Sequence, residues 1–190
     1  MGTPHPPAPV LETERLVLRP LAPADADGLH EAYGDAQAMR FWDFPASADV
    51  AETALRIARS LDATPWVHAC WAIVPKGTDR CRGMVNYHSR QAWNRRLEIG
   101  YILARPLWRQ GLMREALGAF VGHCFAGLGA HRIEATIEPG NVASAALALQ
   151  LGFRCEGGPM RDRLLVAGKF RSLMMYGLIE DEWASRGSRG

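Results

Sequence analysis

The chain has 190 residues, a formal net charge of +2 and 48% hydrophobic residues, enough for one domain that buries its own core without staples. So small a charge argues against a nucleic-acid partner, and no apolar run approaches the ~20 residues that span a bilayer. Four cysteines without C-x-x-C spacing and six histidines without an H-x-x-x-H pair give a metal site little support.

The first residues, MGTPHPPAP, are Pro-rich and carry no charged-then-apolar signal pattern, so residues 1–10 read as a disordered lead-in. Arg15 to Arg19 alternates around Leu16 and Leu18 and predicts a first strand. Pro23 to Met39 is helix-compatible but interrupted by Gly28 and Gly34, which predicts a weak helix or two short ones. Arg40 to Pro45 is dense in aromatics, Phe41, Trp42 and Phe44, and reads either as a lid on the core or as the wall of a binding cleft. Asp49 with Glu52 fits a capping box, and Val50, Thr53, Ala54, Ile57, Ala58 and Leu61 line one face of the helix that follows.

Strands are predicted over 66–74 and 82–88, joined by a Pro75–Asp79 turn, with a polar loop at 91–96 after them. Leu97, Ile99, Tyr101 and Leu103 then alternate with Glu98, Gly100 and Ile102 in a further strand, which Arg105-Pro106 breaks. From Leu112 a 3.6-residue apolar stripe runs through Ala116, Leu117, Phe120, Val121 and Cys124 to Leu128, with Gly129 placed to stop it. The segment 132–137 is the next strand, and a short helix begins at Gly140-Asn141 and ends at Gly152. Strands over 161–166 and 172–179 form a closing hairpin, and the last residues, 185–190, read as a flexible tail. The result is a mixed α/β chain, one domain over residues 11–184, ordered β-α-α-β-β-β-α-β-α-β-β.

Trp108-Arg109-Gln110-Gly111-Leu112-Met113 sits where a strand hands over to a helix N-terminus. The first turn of a helix leaves about four N–H groups unpartnered, and the helix dipole adds roughly half a positive charge. Gly111 lets a ligand approach the backbone, and Arg109 and Arg114 add charge, so the segment is suited to a phosphate or pyrophosphate. A plain strand–loop–helix connection with solvated arginines is the other reading. Neither G-x-x-x-x-G-K-[ST] nor G-x-G-x-x-G occurs in the chain, which disfavours a nucleotide-binding domain of Rossmann type.

The run E-I-G-Y-I-L-x-R-P-L-W-R-Q-G-L-M-R-E-A-L, from Glu98 to Leu117, resembles the acetyl-CoA-binding signature of GNAT acetyltransferases. It is similar in particular to the RimJ/RimL branch, which modifies ribosomal-protein N-termini. Asn141-x-x-Ser144, Leu151-Gly152-Phe153-x-x-Glu156-Gly157 and Glu182-Trp183 extend the likeness, as does Leu11 to Arg19 at the start. Trp108 and Met113 depart from the superfamily's commoner residues but suit that branch.

The resemblance implies a GNAT fold: a twisted mixed sheet of about six to seven strands, splayed at the cofactor site and flanked by about four helices. It implies acetyl-CoA as cosubstrate, no metal, and a cytoplasmic N-acetyltransferase acting on a primary amine, a peptide N-terminus or a small amino compound. Dimers being common in the family, a second copy of the chain is admitted as a partner. By the same resemblance Ile102 and Leu103 border the pantetheine gap, and Gln110, Gly111, Leu112, Met113 and Arg114 cradle the pyrophosphate. Arg109 or Arg105 reaches a further phosphate and Asn141 orients the cofactor, although Asn141 also fits as a helix N-cap. Trp42, Phe44 and Asn86 fall in the acceptor cleft.

Glu98 is the implied general base, against the alternative of an ion pair with Arg95 or Arg96. Ser144 is the implied acid for the departing thiolate, because the tyrosine many relatives use would fall at Ala148. A catalytically silent acyl-CoA-binding module on the same fold is the competing function.

Overall fold

The computed structural model describes residues 8–64 and 66–187. Eight strands form one sheet, in the order β1-β2-β3-β4-β5-β6-β8-β7. They are β1 (Leu11–Glu12), β2 (Leu16–Pro20), β3 (Ala69–Pro75), β4 (Gly83–Gln91), β5 (Arg96–Leu103), β6 (Arg132–Ile137), β7 (Arg154–Val166) and β8 (Lys169–Ile179). The helices are α1 (Ala26–Tyr33), α2 (Val50–Leu61), α3 (Leu112–Ala126), α4 (Val142–Leu151) and α5 (Glu180–Gly187). The mixed architecture is the expected one, with a two-residue edge strand and a C-terminal helix beyond the predicted set.

Helices cover both faces. On one face α3 and α4 close a core of Leu97, Ile99, Leu103, Leu117, Phe120, Val121 and Ile133. On the other, α1 and α2 pack Leu29, Tyr33, Met39 and Ile57 against Ala72, Met84 and Ile102. A side chain buried as fully as Phe120 or Leu117 contributes about 1.5–3 kcal/mol each. The stripe read along α3 is what buries: Leu112, Ala116, Leu117, Phe120, Val121, Cys124 and Phe125 all face inward.

The domain runs past both expected limits. The Trp71 indole donates to the Pro9 carbonyl at 2.8 Å, and Ala8 packs on the core, so structure begins inside the expected lead-in. At the other end α5 continues to Gly187, with Ser185 donating to the Glu182 carbonyl and Arg186 to that of Gln150. These anchors are long-range contacts that composition does not reveal. The rest of the lead-in, 1–7, and of the tail, 188–190, lies outside the described residues.

One join in the sheet differs from the others. β5 pairs with β4 antiparallel from Glu98 to Leu103, but meets β6, its parallel neighbour, only at Arg96, Leu97 and Glu98. β6 keeps its partnership with β8 along its whole length. Beyond Glu98 the two central strands therefore part, and one edge of β5 has no strand beside it.

Candidate active site

The opening between β5 and β6 exposes backbone in a fixed pattern. The Ala104 N–H donates to the Arg82 carbonyl at 2.8 Å. Alternation along an antiparallel ladder then turns the Ile102 groups toward β4 and those of Tyr101 and Leu103 toward the opening. Two contacts agree. A Cβ built on Gly83 of β4 would fall 2.4 Å from the Ile102 oxygen. The Leu103 carbonyl, on the open side, accepts from the Trp108 indole at 2.7 Å. Ile102 is thus a correction: its side chain is buried against α1 and α2 and its backbone faces β4, so Tyr101, not Ile102, borders the gap beside Leu103. The one-residue error is a matter of parity, which the sequence leaves open until a neighbouring strand is known.

At the end of the gap stands the N-terminus of α3. Gly111 is its N-cap, in the left-handed region at φ 77°, and no side chain caps the helix. By contrast Asp49 Oδ1 caps α2 at Glu52 N (2.7 Å), and Asn141 Oδ1 caps α4 at Ser144 N (3.2 Å). With Glu115 N closing the first turn on the Gly111 carbonyl, the N–H groups of Leu112, Met113 and Arg114 stay open to a ligand. Gln110 donates to the Pro106 carbonyl at 2.9 Å, which folds the loop back on itself. Arg109, at φ 60°, and Arg114 are exposed, and among the described residues neither guanidinium has an acidic partner.

Two residues the sequence reading missed hold this loop from a distance. Glu115 accepts from the Thr13 hydroxyl (2.6 Å) and from Arg15 N and Nε (2.7 Å each), while Arg15 Nη1 donates to the Gln110 carbonyl at 3.0 Å. Burial works to raise the Glu115 pKa, but Thr13 and Arg15 together bring it below the ordinary carboxylate value. The one acidic side chain in the first turn of α3 is therefore neutralised, and Arg15 brings a third guanidinium beside the loop. The donor set fits a pyrophosphate: free N–H groups, a glycine, and flanking cations. Replacing Arg109 with alanine is expected to weaken acetyl-CoA binding more at ~20 mM salt than at ~500 mM, because screening discounts an exposed charge. Calorimetric titration at the two salt concentrations measures the difference.

Glu98 lies where the strands begin to part, on the face shared with α1 and α2. Neither expected arginine holds it: Arg95 pairs with Glu180 and Arg96 with Glu134. Instead the Thr136 hydroxyl donates to Glu98 Oε1 at 2.5 Å, and His88 Nε2 stands 3.6 Å from Oε2, longer than a hydrogen bond. Burial pushes the carboxyl up, but His88 and Thr136 outweigh it and hold its pKa below the ordinary value. Glu98 is therefore ionised at neutral pH and free of any cation that would permanently quench it.

The aromatic loop packs on the same face of the sheet. Trp42, Phe44 and Tyr33 pack with centroids 5.4–6.2 Å apart, and Arg56 sits 4.1 Å over the Phe44 ring. The loop covers the core, with Trp42 and Phe44 packed against the cluster of Leu29, Tyr33 and Met84. Asn86 pairs with Gly100 across β4 and β5, its Oδ1 lying 2.5 Å from where a Cβ on Gly100 would stand. Both Asn86 Oδ1 and Trp42 Nε1 are buried without a hydrogen-bond partner among the described residues. Such atoms carry a penalty of about 1–3 kcal/mol until something binds them. Arg171 of β8, absent from the sequence reading, ties the loop down by donating to the Arg40 and Trp42 carbonyls (3.0 and 3.2 Å) and pairing with Glu138 at 2.8 Å.

Ser144 lies on the other face, in the first turn of α4. Its hydroxyl donates to Tyr101 Oη at 2.8 Å, so the serine is joined to a phenol from the bordering strand. The capping reading of Asn141 is realised, and its Nδ2 remains available. Among the described residues no three of His, Cys, Asp and Glu cluster as metal ligands, and no helix is long and apolar enough to cross a membrane.

A sheet parted beside an uncapped helix N-terminus defines an acyl-CoA-dependent transferase, and comparison with known proteins agrees. Residues 15–154 match the family described as acetyltransferase (GNAT) domain. The chain is 32% identical to the uncharacterized N-acetyltransferase p20 of Bacillus licheniformis over 175 residues, 92% of this chain and 98% of that one. It is 33% identical over 101 residues to YdaF of Bacillus subtilis (strain 168), provisionally named a ribosomal N-acetyltransferase, covering 53% of this chain and 55% of that one. A Vibrio cholerae structure, provisionally named a ribosomal-protein-serine acetyltransferase, superposes with a TM-score of 0.77 at 26% identity, covering 91% and 98%.

The chain belongs to the GNAT acetyltransferase family. It is an acetyl-CoA-dependent N-acetyltransferase, transferring acetyl groups to amines.

Proposed function

We propose that the chain acetylates an α-amino group, at a peptide or protein N-terminus or on a small amino compound, by direct attack on acetyl-CoA with Glu98 as general base. The observation that carries this reading is the Glu98 carboxylate: ionised, unpaired with Arg95 or Arg96, and set at the last pair before the strands part. Leu112, Met113 and Arg114 would hold the pyrophosphate, with Arg109 and Arg15 beside it, and Tyr101 and Leu103 would border the pantetheine arm. Acetyl-CoA supplies the activated acyl group. Glu98 would take a proton from the acceptor ammonium, directly or through one water, and leave a neutral nucleophile. The Ser144 hydroxyl, backed by Tyr101, supports the departing sulfur. Three buried free thiols, Cys70, Cys81 and Cys124, suit a reducing compartment, the cytoplasm.

The choice of an α-amine rests on proton energetics. A model α-amine titrates near ~7.7–8.0 and lysine near ~10.4. At pH 7 deprotonation costs roughly 1 kcal/mol for the first and 4.6 kcal/mol for the second. A carboxylate held below its ordinary pKa is a modest base, better matched to the smaller demand. In a peptide carrying both a free N-terminus and an internal lysine, acetylation is expected at the N-terminus. Mass spectrometry of the product locates the acetyl group, and a clean preference for lysine overturns the assignment. Release of CoA thiol with the peptide separates an enzyme from a silent binding module.

A further inference from the structure

Among the described residues, no acidic partner outside the acceptor cleft compensates for the titratable side chain nearest Glu98. His88 stands directly opposite Glu98 in the β4–β5 register, which puts both side chains on the face that α1 and α2 cover. It is partly open to solvent, with 37% of its side chain exposed against 19% for Glu98. Charged and titratable groups approach it from every side of the cleft. Glu98 comes from β5, with Thr136 of β6 behind it. Asp43, on the aromatic loop, feels the His88 charge and that of Arg56 on α2. His68, ahead of β3, feels His88 in the same way.

We propose that Glu98 and His88 act as one proton store, the proton that leaves the acceptor ammonium being captured between Glu98 Oε2 and His88 Nε2 and coming to rest on the imidazole. This deepens the acetyl-transfer reading and rests on it. At 3.6 Å the two atoms lie just beyond hydrogen-bond distance, so a small movement of either side chain brings them within reach of a shared proton. When the amine N–H bond breaks, Oε2–H forms, and a hydrogen bond to Nε2 closes the distance. Oε2–H then breaks as Nε2–H forms, leaving an imidazolium beside a carboxylate. Meanwhile the neutral amine forms the C–N bond at the acetyl carbon, the adduct's second N–H bond breaks as the C–S bond breaks, and that proton reaches the sulfur by relay through the Ser144 hydroxyl or a water. The imidazolium discharges to solvent through its exposed edge, and no oxidant or reductant is required.

The chemistry explains why a second group is useful. The His88 imidazole, 3.6 Å from the carboxylate and partly open to solvent, gives the proton a place to go other than back to the acceptor. Moving the proton onward frees Glu98 from reprotonating the tetrahedral adduct's nitrogen. His88 is then a positioning and proton-holding residue rather than the group that meets the amine first.

The test uses the full chain, acetyl-CoA and a short peptide with a free N-terminus, with CoA thiol release as the readout. His88→Ala is expected to lower kcat about 10- to 100-fold, while acetyl-CoA raises its melting temperature as it does for the unaltered chain. Added free imidazole should restore kcat in a saturable manner, and should not restore Glu98→Gln. Undiminished kcat in His88→Ala, or a loss that imidazole never relieves while His88→Asn loses as much, overturns the proposal. Full turnover by Glu98→Gln would instead strike Glu98 as the base, and no CoA release or thermal shift with acetyl-CoA in the unaltered chain would strike the acetyl-transfer reading itself.

Discussion

Gly111→Asp should abolish the rise in melting temperature that acetyl-CoA produces. A ligand at 100 times its dissociation constant stabilises a fold by about 2.7 kcal/mol, roughly 5–10 °C for a domain of this length. Gly111 holds φ 77° at the cap of α3, and a Cβ there would meet only Arg15 Nη2, at 3.5 Å. The aspartate therefore has room, at a cost of about 1–2 kcal/mol for the left-handed backbone. Its carboxylate then occupies the site as a tethered anion, paired with Arg15 and facing the open N–H groups. Gly111→Ala carries the same backbone cost without the charge and should keep most of the shift. Scanning calorimetry of the three proteins decides it: a full shift in the aspartate variant removes the pyrophosphate from this helix.

Glu98→Gln should lower turnover about 10²- to 10⁴-fold at pH 7, with acetyl-CoA affinity unchanged. The amide keeps an oxygen for the Thr136 hydroxyl, so the fold survives. The loss should shrink as pH rises toward the amine's own pKa, since solution then supplies the neutral nucleophile. The stability effect has a definite sign. The folded pKa of Glu98 lies below the ordinary value, so its ionised form adds stability at neutral pH. That contribution fades as pH falls from the ordinary carboxylate range through the lowered folded value. The glutamine variant should therefore match the unaltered chain most closely in acid. Steady-state rates from pH 6 to 9, with melting curves from pH 3 to 7, test both statements. An equal activity loss at every pH would make Glu98 a structural residue.

What was legible in the sequence is what is local. Leu112 to Phe125 announce α3 by period, Gly152 its role as the αL cap of α4 by type, and the 108–113 loop its place by the elements on either side. What was not legible depends on partners far along the chain. Arg15 and Glu115 are 100 positions apart, and Arg171 holds Trp42 across 129. The parity that displaces Ile102 in favour of Tyr101 depends on a hydrogen bond between Ala104 and Arg82. The sequence predicts only 161–166 as a strand, because Gly157, Gly158 and Pro159 interrupt its alternation. The strand runs for 13, lying at the sheet edge where shifts in register against β8 absorb them. The Glu98 alternatives failed for a related reason: both nearby arginines were already engaged, by Glu134 and Glu180, residues that sequence proximity does not point to.

Three residue pairs join β5 to β6, against six between β6 and β8. In mechanical terms the molecule is a two-leaved hinge, with β1 to β5 as one leaf, β6, β8 and β7 as the other, and the pin at Arg96 to Glu98. A tilt of one leaf breaks no ladder hydrogen bond beyond the pin, so opening there is the least costly large motion the sheet allows. The two amides of a pantetheine arm can bond to an exposed strand edge as another strand would. An acetyl donor held there would complete the sheet that binds it and stiffen the hinge. Glu98 sits at the pin itself, so a base there would keep its aim as the leaves tilt.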